Sequence, residues 1–342
     1  MSNEAMNKEA KNTEAINKAV LSGMRPTGRL HLGHYSVLEN WAVLQNDYDA
    51  YFFIADYHAL TTAFDNPSII TQNIQDMALD WLAAGLDPGK SAIFVQSQVK
   101  ELADLHILFS MITPLSWLER VPTFKDQVNQ FAKGGKDIMT YGFFGYPQLM
   151  AADILLYRAF GVPVGEDQIP HVEFCRELAR RFNYLYQKQV FPEPQALMSK
   201  IKQLPGLDGR KMSKSYDNYI ILGAEKQEIE QRVRQMVTDP ARIRKDDLGH
   251  PEICTVYTYH KFYNEAEHEQ IKCDCENGCI GCVACKKRLA AKLNEYMEPI
   301  RERRAYFAER PQLVQDMLHD GQRRASQKAA ETMALVHDAM GV

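Results

Sequence analysis

The chain has 342 residues, a formal net charge of −4 and 45% hydrophobic residues. A chain of this length buries a sizeable core, and we expect one large domain and a smaller one. The slight acidic excess excludes a uniformly basic nucleic-acid coat but is compatible with a local RNA-binding patch.

No run of eighteen apolar residues occurs, so we expect no membrane span. Residues 1–18 mix Asn, Glu, Lys and Ala, lack the apolar segment of a secretion signal, and contain the acidic residues that transit peptides avoid. We interpret 1–18 as a flexible N-terminal extension and predict a cytoplasmic protein.

The first predicted elements are a strand at 19–21 and a helix at 35–45. They flank the segment MRPTGRLHLGHY, residues 24–35. The N-terminus of such a helix turns unpaired N–H groups towards any phosphate at the carboxyl end of the strand. Gly28 and Gly33 permit close backbone approach, and His31 and His34 lie on one side of the first helical turn. These features predict a nucleotide-phosphate site, although two histidines near a turn are more often structural.

Buried strands and helices alternate in the following part of the chain. The predicted strands are 50–55 and 93–96, and the predicted helices are 68–84 and 102–111. Such alternation with short connections predicts an α/β fold with a doubly wound parallel sheet of the Rossmann type. Asp56 and His58 follow the first of these strands, so we expect both at the rim of the site. The segment 112–145, which contains prolines and paired glycines, interrupts the alternation.

The segment 146–157 is an almost wholly apolar helical run, which predicts a buried helix. It contains Asp153, and a buried carboxylate must be paired or take part in function. A helix cap or a salt bridge with Arg158 is the structural alternative.

A short predicted strand at 162–164 is followed by the polar sequence GEDQ, residues 165–168, and by a predicted helix at 171–182. Acidic and amide side chains at the carboxyl end of a strand are suited to ribose hydroxyls or to an amino group. The attraction between an acid and the helix dipole explains Glu166 equally well. The segment is therefore a candidate ligand contact with a structural alternative.

The sequence KMSKS spans 211–215 beside several glycines. Its two lysines and two serines have the chemistry to hold the pyrophosphate end of a triphosphate, most tightly in the transition state. A solvated basic loop is the alternative for this segment alone. Together with HLGH at 31–34, and in this order along the chain, it resembles the signature pair of the class I aminoacyl-tRNA synthetases.

The segment 146–157 narrows the resemblance to the tryptophanyl-tRNA synthetases. An indole ring offers one N–H donor and no acceptor, so a tryptophan pocket needs an acceptor such as Asp153 among apolar side chains. Tyrosyl-tRNA synthetases share the architecture, use an aspartate at this position and are the nearest alternative. A non-catalytic tRNA-binding paralogue is a further alternative, but such proteins usually lose a signature, and both signatures are intact here.

The resemblance implies a tryptophan–tRNA ligase, which activates L-tryptophan with ATP and Mg²⁺ and transfers it to the 3′ end of tRNA(Trp). The implied catalytic residues are His31, His34, Lys211 and Lys214, and the implied tryptophan contacts are Tyr146, Met150, Asp153 and Gln168. The implied ATP contacts are Arg25, Pro26, Thr27, Gly33, His34, Gly165, Glu166, Asp167, Lys211, Met212, Ser213, Lys214 and Ser215. The resemblance also makes 112–145 the connecting insertion of the family, Lys125 a candidate phosphate contact, and a homodimer the expected assembly.

Helical patterns dominate beyond Gly223, and we divide the chain into a catalytic domain at 19–223 and an all-helical domain at 224–342. The predicted helices of the second domain are 225–238, 290–308 and 313–340. By resemblance, this domain binds the anticodon of the tRNA. The basic residues available to RNA phosphates on its helices are Arg301, Arg303, Arg304, Arg323, Arg324 and Lys328.

Six of the seven cysteines lie between the first two of these helices, which indicates metal ligands rather than disulfides. Cys282 and Cys285 have the spacing of a chelating pair. The group resembles a motif in a subset of tryptophanyl-tRNA synthetases that bind a 4Fe-4S cluster, and the ligands implied by this resemblance are Cys254, Cys275, Cys282 and Cys285. Cys273 and Cys279 are alternative ligands, and Zn²⁺ or free thiols are alternatives to the cluster.

Overall fold

The computed structural model describes residues 18–121, 128, 131, 136–198 and 204–342. Within these ranges, five strands form one sheet in which all paired strands are parallel. The strands are β1 (Ala19–Met24), β2 (Asp49–Ile54), β3 (Ser91–Val95), β4 (Gly161–Val164) and β5 (Gln195–Met198), in the spatial order β3-β2-β1-β4-β5. The predicted doubly wound parallel sheet is confirmed. The strand β5 is an addition to the predicted elements.

Helices surround this sheet and make up the region that follows it. Those of the first part are α1 (Leu32–Leu44), α2 (Asp56–Ala63), α3 (Ser68–Ala84), α4 (Glu101–Ser110), α5 (Leu115–Glu119), α6 (Tyr141–Phe144), α7 (Tyr146–Leu156) and α8 (Ile169–Tyr186). Those of the second part are α9 (Lys226–Gln235), α10 (Thr255–Tyr263), α11 (His268–Glu276), α12 (Cys282–Ala308) and α13 (Pro311–Met340). The predicted helical character of the C-terminal region is confirmed. The helix α12 begins at Cys282 rather than at 290, because its first turn carries cysteines and lysines instead of an apolar face.

Two apolar clusters fill the two faces of the sheet. Phe52 belongs to one cluster and its neighbour Phe53 to the other, as expected where successive residues of a strand point to opposite faces. The first cluster also contains Leu293 of α12, and the second contains Ala329 of α13. The long C-terminal helices therefore share their cores with the sheet, and the division of the chain at 223/224 stays a prediction.

The helix α13 covers one edge of the sheet. It packs against β3, the edge strand, and a Cβ at Gly321 would overlap the backbone of Ile93. Only glycine permits this approach. Arg324 also donates a hydrogen bond to the carbonyl oxygen of Ser91, with the two atoms 2.8 Å apart. A covering helix prevents the edge from pairing with another chain.

Two predictions concern residues outside the described ranges. They are the N-terminal extension, of which only Lys18 is described, and the candidate phosphate contact Lys125. Among the described helices, none combines the length and the apolar composition that a membrane crossing requires.

Candidate active site

The main candidate site is a cavity of about 380 Å³ at the carboxyl ends of β1 and β4. The two strands are paired at Val20 and Gly161 and diverge beyond these residues, so a gap opens between them. Residues 22–25 line one side of the gap, and residues 162–165 line the other. The strand order reverses between β1 and β4, which is where doubly wound sheets bind their ligands. The cavity has the volume of a small-molecule site.

The structure brings the predicted amino-acid contacts together in this cavity. All four line it: Tyr146, Met150, Asp153 and Gln168. Apolar side chains such as Phe53 and Phe143 complete the walls. The hydroxyl oxygen of Tyr146 lies 3.2 Å from Nε2 of His171, whose pKa is lowered by burial. A neutral imidazole therefore holds the tyrosine hydroxyl in place at neutral pH.

Asp153 is 3% exposed and has a fixed orientation. Its Oδ2 lies 3.0 Å from Nε2 of His58, so His58 is a hydrogen-bond partner of this carboxylate. Nε2 of Gln96 donates to both carboxylate oxygens, at 2.9 and 2.8 Å. Burial raises the pKa of Asp153, and the hydrogen bonds from His58 and Gln96 act in the opposite direction. The carboxylate is thus an oriented acceptor in an apolar cavity.

Sequence reasoning placed His58 at the rim of the site and missed Gln96. Both residues follow carboxyl ends of neighbouring parallel strands, His58 after β2 and Gln96 directly after β3. Its position at the end of a predicted strand could have identified Gln96 as a site residue, because parallel strands end at the same edge of the sheet.

The histidines of the first signature stack at the N-terminus of α1. The ring centroids of His31 and His34 are 3.8 Å apart, and Nδ1 of His34 accepts a hydrogen bond from the backbone nitrogen of His31 at 3.3 Å. A Cβ on Gly33 would lie 3.1 Å from the ring of His31 and 3.3 Å from Sδ of Met212, which accounts for the glycine. In the described part of the chain, no hydrogen-bond partner reaches Nδ1 of the buried His31.

Both signature histidines are neutral at pH 7. Burial lowers the pKa of His31 to about 4 and that of His34 to about 3. Both values include a smaller contribution from the positive charge of Lys214. The imidazoles therefore offer hydrogen bonds, and not positive charge, to a ligand at this position.

The second signature contacts the first at two points. Nζ of Lys214 donates to the carbonyl oxygen of Thr27 at 2.8 Å, and Sδ of Met212 lies 3.3 Å from the backbone nitrogen of Gly33. Two segments almost two hundred residues apart in the sequence thus meet at the carboxyl edge of the sheet. Lys211, in contrast, has an exposed side chain.

The loop of the second signature is supported by Asn218, a residue that sequence reasoning missed. Asn218 is 3% exposed. Its Oδ1 accepts a hydrogen bond from the backbone nitrogen of Ser213 at 2.8 Å, and its Nδ2 donates to Oδ1 of Asp208 at 2.7 Å. An asparagine in a loop gives no signal of such a role in the sequence alone.

The remaining predicted nucleotide contacts are divided between the cavity and the surface. Arg25 and Gly165 line the cavity, whereas Glu166 and Asp167 are exposed. The carbonyl oxygen of Pro26 accepts a hydrogen bond from Nδ2 of Asn73 at 3.0 Å. The catalytic and binding roles of all these residues stay predictions.

A second candidate site lies in the helical region. The thiols that line a cavity of about 20 Å³ there are those of Cys254, Cys275, Cys282 and Cys285. The pKa of Cys285 is raised to about 12, chiefly by burial and to a lesser extent by the other three cysteines. Cys273 and Cys279 are exposed and do not line the cavity. Within the described ranges, no set of three or more His, Cys, Asp or Glu side chains is arranged to hold a metal ion.

The arginines that the sequence offers to RNA phosphates are largely used inside the molecule. Arg301 donates to the carbonyl oxygen of Ala224, and Arg303 donates to that of Ala83. Arg304 donates to the carboxylate of Asp80, and Arg324 donates to the carbonyl oxygen of Ser91. Arg323 and Lys328 pair with acids on their own helix. In a sequence, charges that dock a helix look the same as charges that face solvent.

Comparison with known proteins places the chain in a family. The model of the family "tRNA synthetases class I (W and Y)" matches residues 13–298. A tryptophan–tRNA ligase of Thermotoga maritima is 49% identical over 327 residues, which cover 94% of this chain and 99% of that protein. A tryptophan–tRNA ligase of Aquifex aeolicus is 43% identical, with coverage of 94% and 99%.

Solved structures agree with these relatives. The tryptophanyl-tRNA synthetase from Campylobacter jejuni, complexed with ADP and tryptophan, matches with a TM-score of 0.86 and 34% identity, over 95% of this chain and all of that chain. A tyrosyl-tRNA synthetase from Archaeoglobus fulgidus, 21% identical with a TM-score of 0.64, shares the fold. The two intact signatures, the switch-point cavity and these relatives together show that the chain belongs to the tryptophanyl-tRNA synthetases of class I.

Proposed function

We infer that the cavity between β1 and β4 is where this chain carries out the reaction of its family, the ATP-dependent joining of L-tryptophan to tRNA. One observation carries the inference: Asp153 is a buried, oriented acceptor among apolar side chains, in a cavity that Arg25 of the first signature segment also lines. The indole of tryptophan is a large apolar ring with one N–H donor, and this cavity is its chemical complement.

The amino-acid side of the cavity divides into three contacts. The carboxylate of Asp153 accepts the indole N–H, and Met150 packs on the ring. Tyr146 and Gln168 supply polar groups for the α-amino group. Tryptophan is the largest of the proteinogenic side chains, so the shape of the pocket and one hydrogen bond discriminate against smaller amino acids without an editing domain.

In the first step, a carboxylate oxygen of tryptophan attacks the α-phosphorus of ATP in line. The bond to the bridging oxygen breaks, and tryptophanyl-adenylate and pyrophosphate form. The carboxylate is already a nucleophile, so the chain supplies position and charge stabilisation rather than a base. Lys211 and Lys214 stabilise the charge that develops on pyrophosphate, and the neutral imidazoles of His31 and His34 donate hydrogen bonds to the phosphates.

Bound Mg²⁺ supplies further neutralisation of the triphosphate, and Arg25, Thr27 and Gly165 lie where the nucleotide would pass from the cavity to the signatures. In the second step, a hydroxyl of the 3′-terminal ribose of tRNA(Trp) attacks the acyl carbon, and AMP leaves. The region 224–342 binds the anticodon in this proposal. We also propose a cytoplasmic location for the chain.

The test is ATP–pyrophosphate exchange with each of the twenty amino acids offered separately to the full chain. We expect exchange with tryptophan alone. Exchange with tyrosine would overturn the substrate while keeping the fold, and a folded chain that gave no exchange with any amino acid would favour the non-catalytic paralogue.

We also propose that the four cysteines of the second site hold a 4Fe-4S cluster. The support is that four thiols, the usual complement for such a cluster, line one cavity. Cys254 immediately precedes α10, and Cys282 begins α12, so two helix N-termini point their positive ends at the site. Nη1 of Arg242 lies 3.5 Å from Sγ of Cys275 and adds a further positive charge. The cluster is proposed ahead of Zn²⁺ on the family resemblance of the cysteine spacing, and Zn²⁺ held by the same four thiols is the alternative.

Anaerobic purification followed by metal and sulfide analysis tests the cluster. We expect iron and acid-labile sulfide in equal amounts, lost in Cys285→Ser and retained in the matched control Cys279→Ser. Zinc in place of iron, or equal loss in both variants, would contradict the proposed cluster and its ligands.

The homodimer expected from the family is a third proposal. A largely apolar groove of about 520 Å³ lies between α2 and α4, and Tyr57, Phe64 and Ile107 leave 37%, 47% and 53% of their surface exposed there. Exposed apolar patches of this kind mark protein interfaces. Light scattering should find a dimer that dissociates in Ile107→Lys and persists in Ile243→Lys, a control at an isoleucine that is 90% exposed elsewhere. A monomeric wild-type chain would refute the dimer.

A further inference from the structure

A polar face of α3 holds the loop of the first signature. Asn73, Asp76 and Asp80 are three and four residues apart, so they lie on one side of the helix. Nδ2 of Asn73 donates to the carbonyl oxygen of Pro26 at 3.0 Å, and Oδ2 of Asp80 accepts from the backbone nitrogen of Leu30 at 2.7 Å. The loop is therefore fastened to α3 on both sides of its glycine turn.

Asp80 has no exposed surface, and a buried carboxylate requires compensation. Arg304, near the end of α12, provides it: Nε donates to Oδ1 of Asp80 at 2.8 Å, and Nη2 donates to Oδ1 of Asp76 at 2.9 Å. The charges of these two carboxylates also act on Lys214 of the second signature. Burial lowers the pKa of Lys214, and the charges of Asp80 and Asp76 oppose that shift.

We propose that Asp80 and Arg304 are positioning residues for the formation of tryptophanyl-adenylate. Asp80 holds the backbone N–H of Leu30, the residue before His31. Arg304 neutralises the charge of Asp80 beside the proposed phosphate site. This proposal rests on the proposed placement of ATP at the two signatures.

The contacts on the other side of the loop explain why a change at Asp80 should affect the formation of tryptophanyl-adenylate. The carbonyl oxygen of Leu30 accepts a hydrogen bond from Leu222 at 2.9 Å, and the nitrogen of Leu32 donates to Ile220 at 2.9 Å. Residues 30–32 therefore lie between α3 and the segment that follows KMSKS. A change at Asp80 moves the N-terminus of α1 relative to Lys214. Without Arg304, two carboxylates would also repel the triphosphate.

The experiment is single-turnover formation of tryptophanyl-adenylate by the full chain, with tryptophan affinity from equilibrium dialysis and Tm from thermal unfolding. The variants are Asp80→Asn, Arg304→Gln and their combination. The matched control is Arg303→Gln, because the adjacent Arg303 docks the same helix on the carbonyl oxygen of Ala83 and does not contact the loop. We expect the rate to fall about 10- to 100-fold in each single variant, since a misplacement of about 1 Å costs about 100-fold.

The combined variant should be at most about threefold slower than the slower single variant, because both residues act through one contact. Tryptophan affinity in all variants, and the rate of the control, should stay within about twofold of wild type. An equal loss of rate in Arg303→Gln, single losses that multiply in the combined variant, or a loss of tryptophan affinity as large as the loss of rate would each overturn the proposal.

Arg304→Lys decides the matter if Asp80→Asn does not fold. It keeps the charge but cannot bridge both carboxylates, so the rate should fall about three- to tenfold at an unchanged Tm; a wild-type rate would overturn the proposal. A folded wild-type chain that forms no adenylate would instead refute the proposed function. Unaffected variants of an active chain would refute the positioning role alone.

Discussion

The contact between Asp153 and the indole nitrogen is open to a direct test with an altered ligand. In 3-benzothienylalanine, sulfur replaces the indole N–H, so the donor is lost while the shape is nearly kept. A hydrogen bond to a charged group contributes about 1.5–3 kcal/mol. Since about 1.4 kcal/mol corresponds to a factor of ten, wild type should prefer tryptophan over the analogue by about 10- to 100-fold in kcat/KM for ATP–pyrophosphate exchange.

The substitution Asp153→Asn should reduce that preference to about threefold or less, because an amide is a weaker acceptor and its oxygen is also sought by Gln96. The matched control is Asp56→Asn. Asp56 is 8% exposed at the same sheet edge and holds the backbone nitrogens of Tyr57 and Ser97, but it does not line the cavity. It should lower stability and leave the preference unchanged. An Asp153→Asn enzyme that lost the same factor towards both ligands would refute the contact and make Asp153 a structural residue.

Three further predictions concern the signatures. The free energy of unfolding should fall as the pH is lowered from about 6.5 to about 4, because His31 and His34 take up protons in the unfolded chain but not in the folded one. Denaturant titrations at several pH values give the slope of this free energy against pH, which should be shallower in His34→Asn. An unchanged slope in that variant would contradict this explanation. Lys214→Met should lower kcat of exchange about 100-fold but leave acyl transfer from preformed tryptophanyl-adenylate near wild type, whereas equal losses in both steps would point to misfolding. Gly33→Ala should raise KM for ATP and lower Tm, because its Cβ would press on His31 and Met212; wild-type values of both would show that the loop adjusts freely.

Residues that depart from their local pattern could be predicted from the sequence. Asp153 is such a residue, because a charged side chain within an apolar segment can be recognised from the sequence alone. Its partners His58 and Gln96 could not be assigned in the same way, since they are 95 and 57 positions away and reach it through the parallel register of β2 and β3. The alternation of strands and helices likewise predicted the sheet, because each buried strand carries its own apolar run.

The parts that could not be predicted depend on how helices pack. Asp80 looks like an ordinary acid on a helix, and only the docking of α12 makes it a buried partner of Arg304. For the same reason, Arg304 was grouped with arginines available to RNA. The cysteines are an intermediate case. Their spacing predicts a metal site, and the family resemblance selects four of the six as ligands. Those four line one cavity, but spacing alone does not identify the bound group.

The position of α13 on β3 bears on how this protein is made. Ser91 and Arg324 are 233 positions apart, so the ribosome completes the strand long before it synthesises the helix that covers it. During that interval the nascent chain carries an open strand edge, which is a template for aggregation. A product of premature termination that already contained both signatures would keep this open edge. An unfinished chain therefore exposes the strand edge that α13 covers in the folded protein.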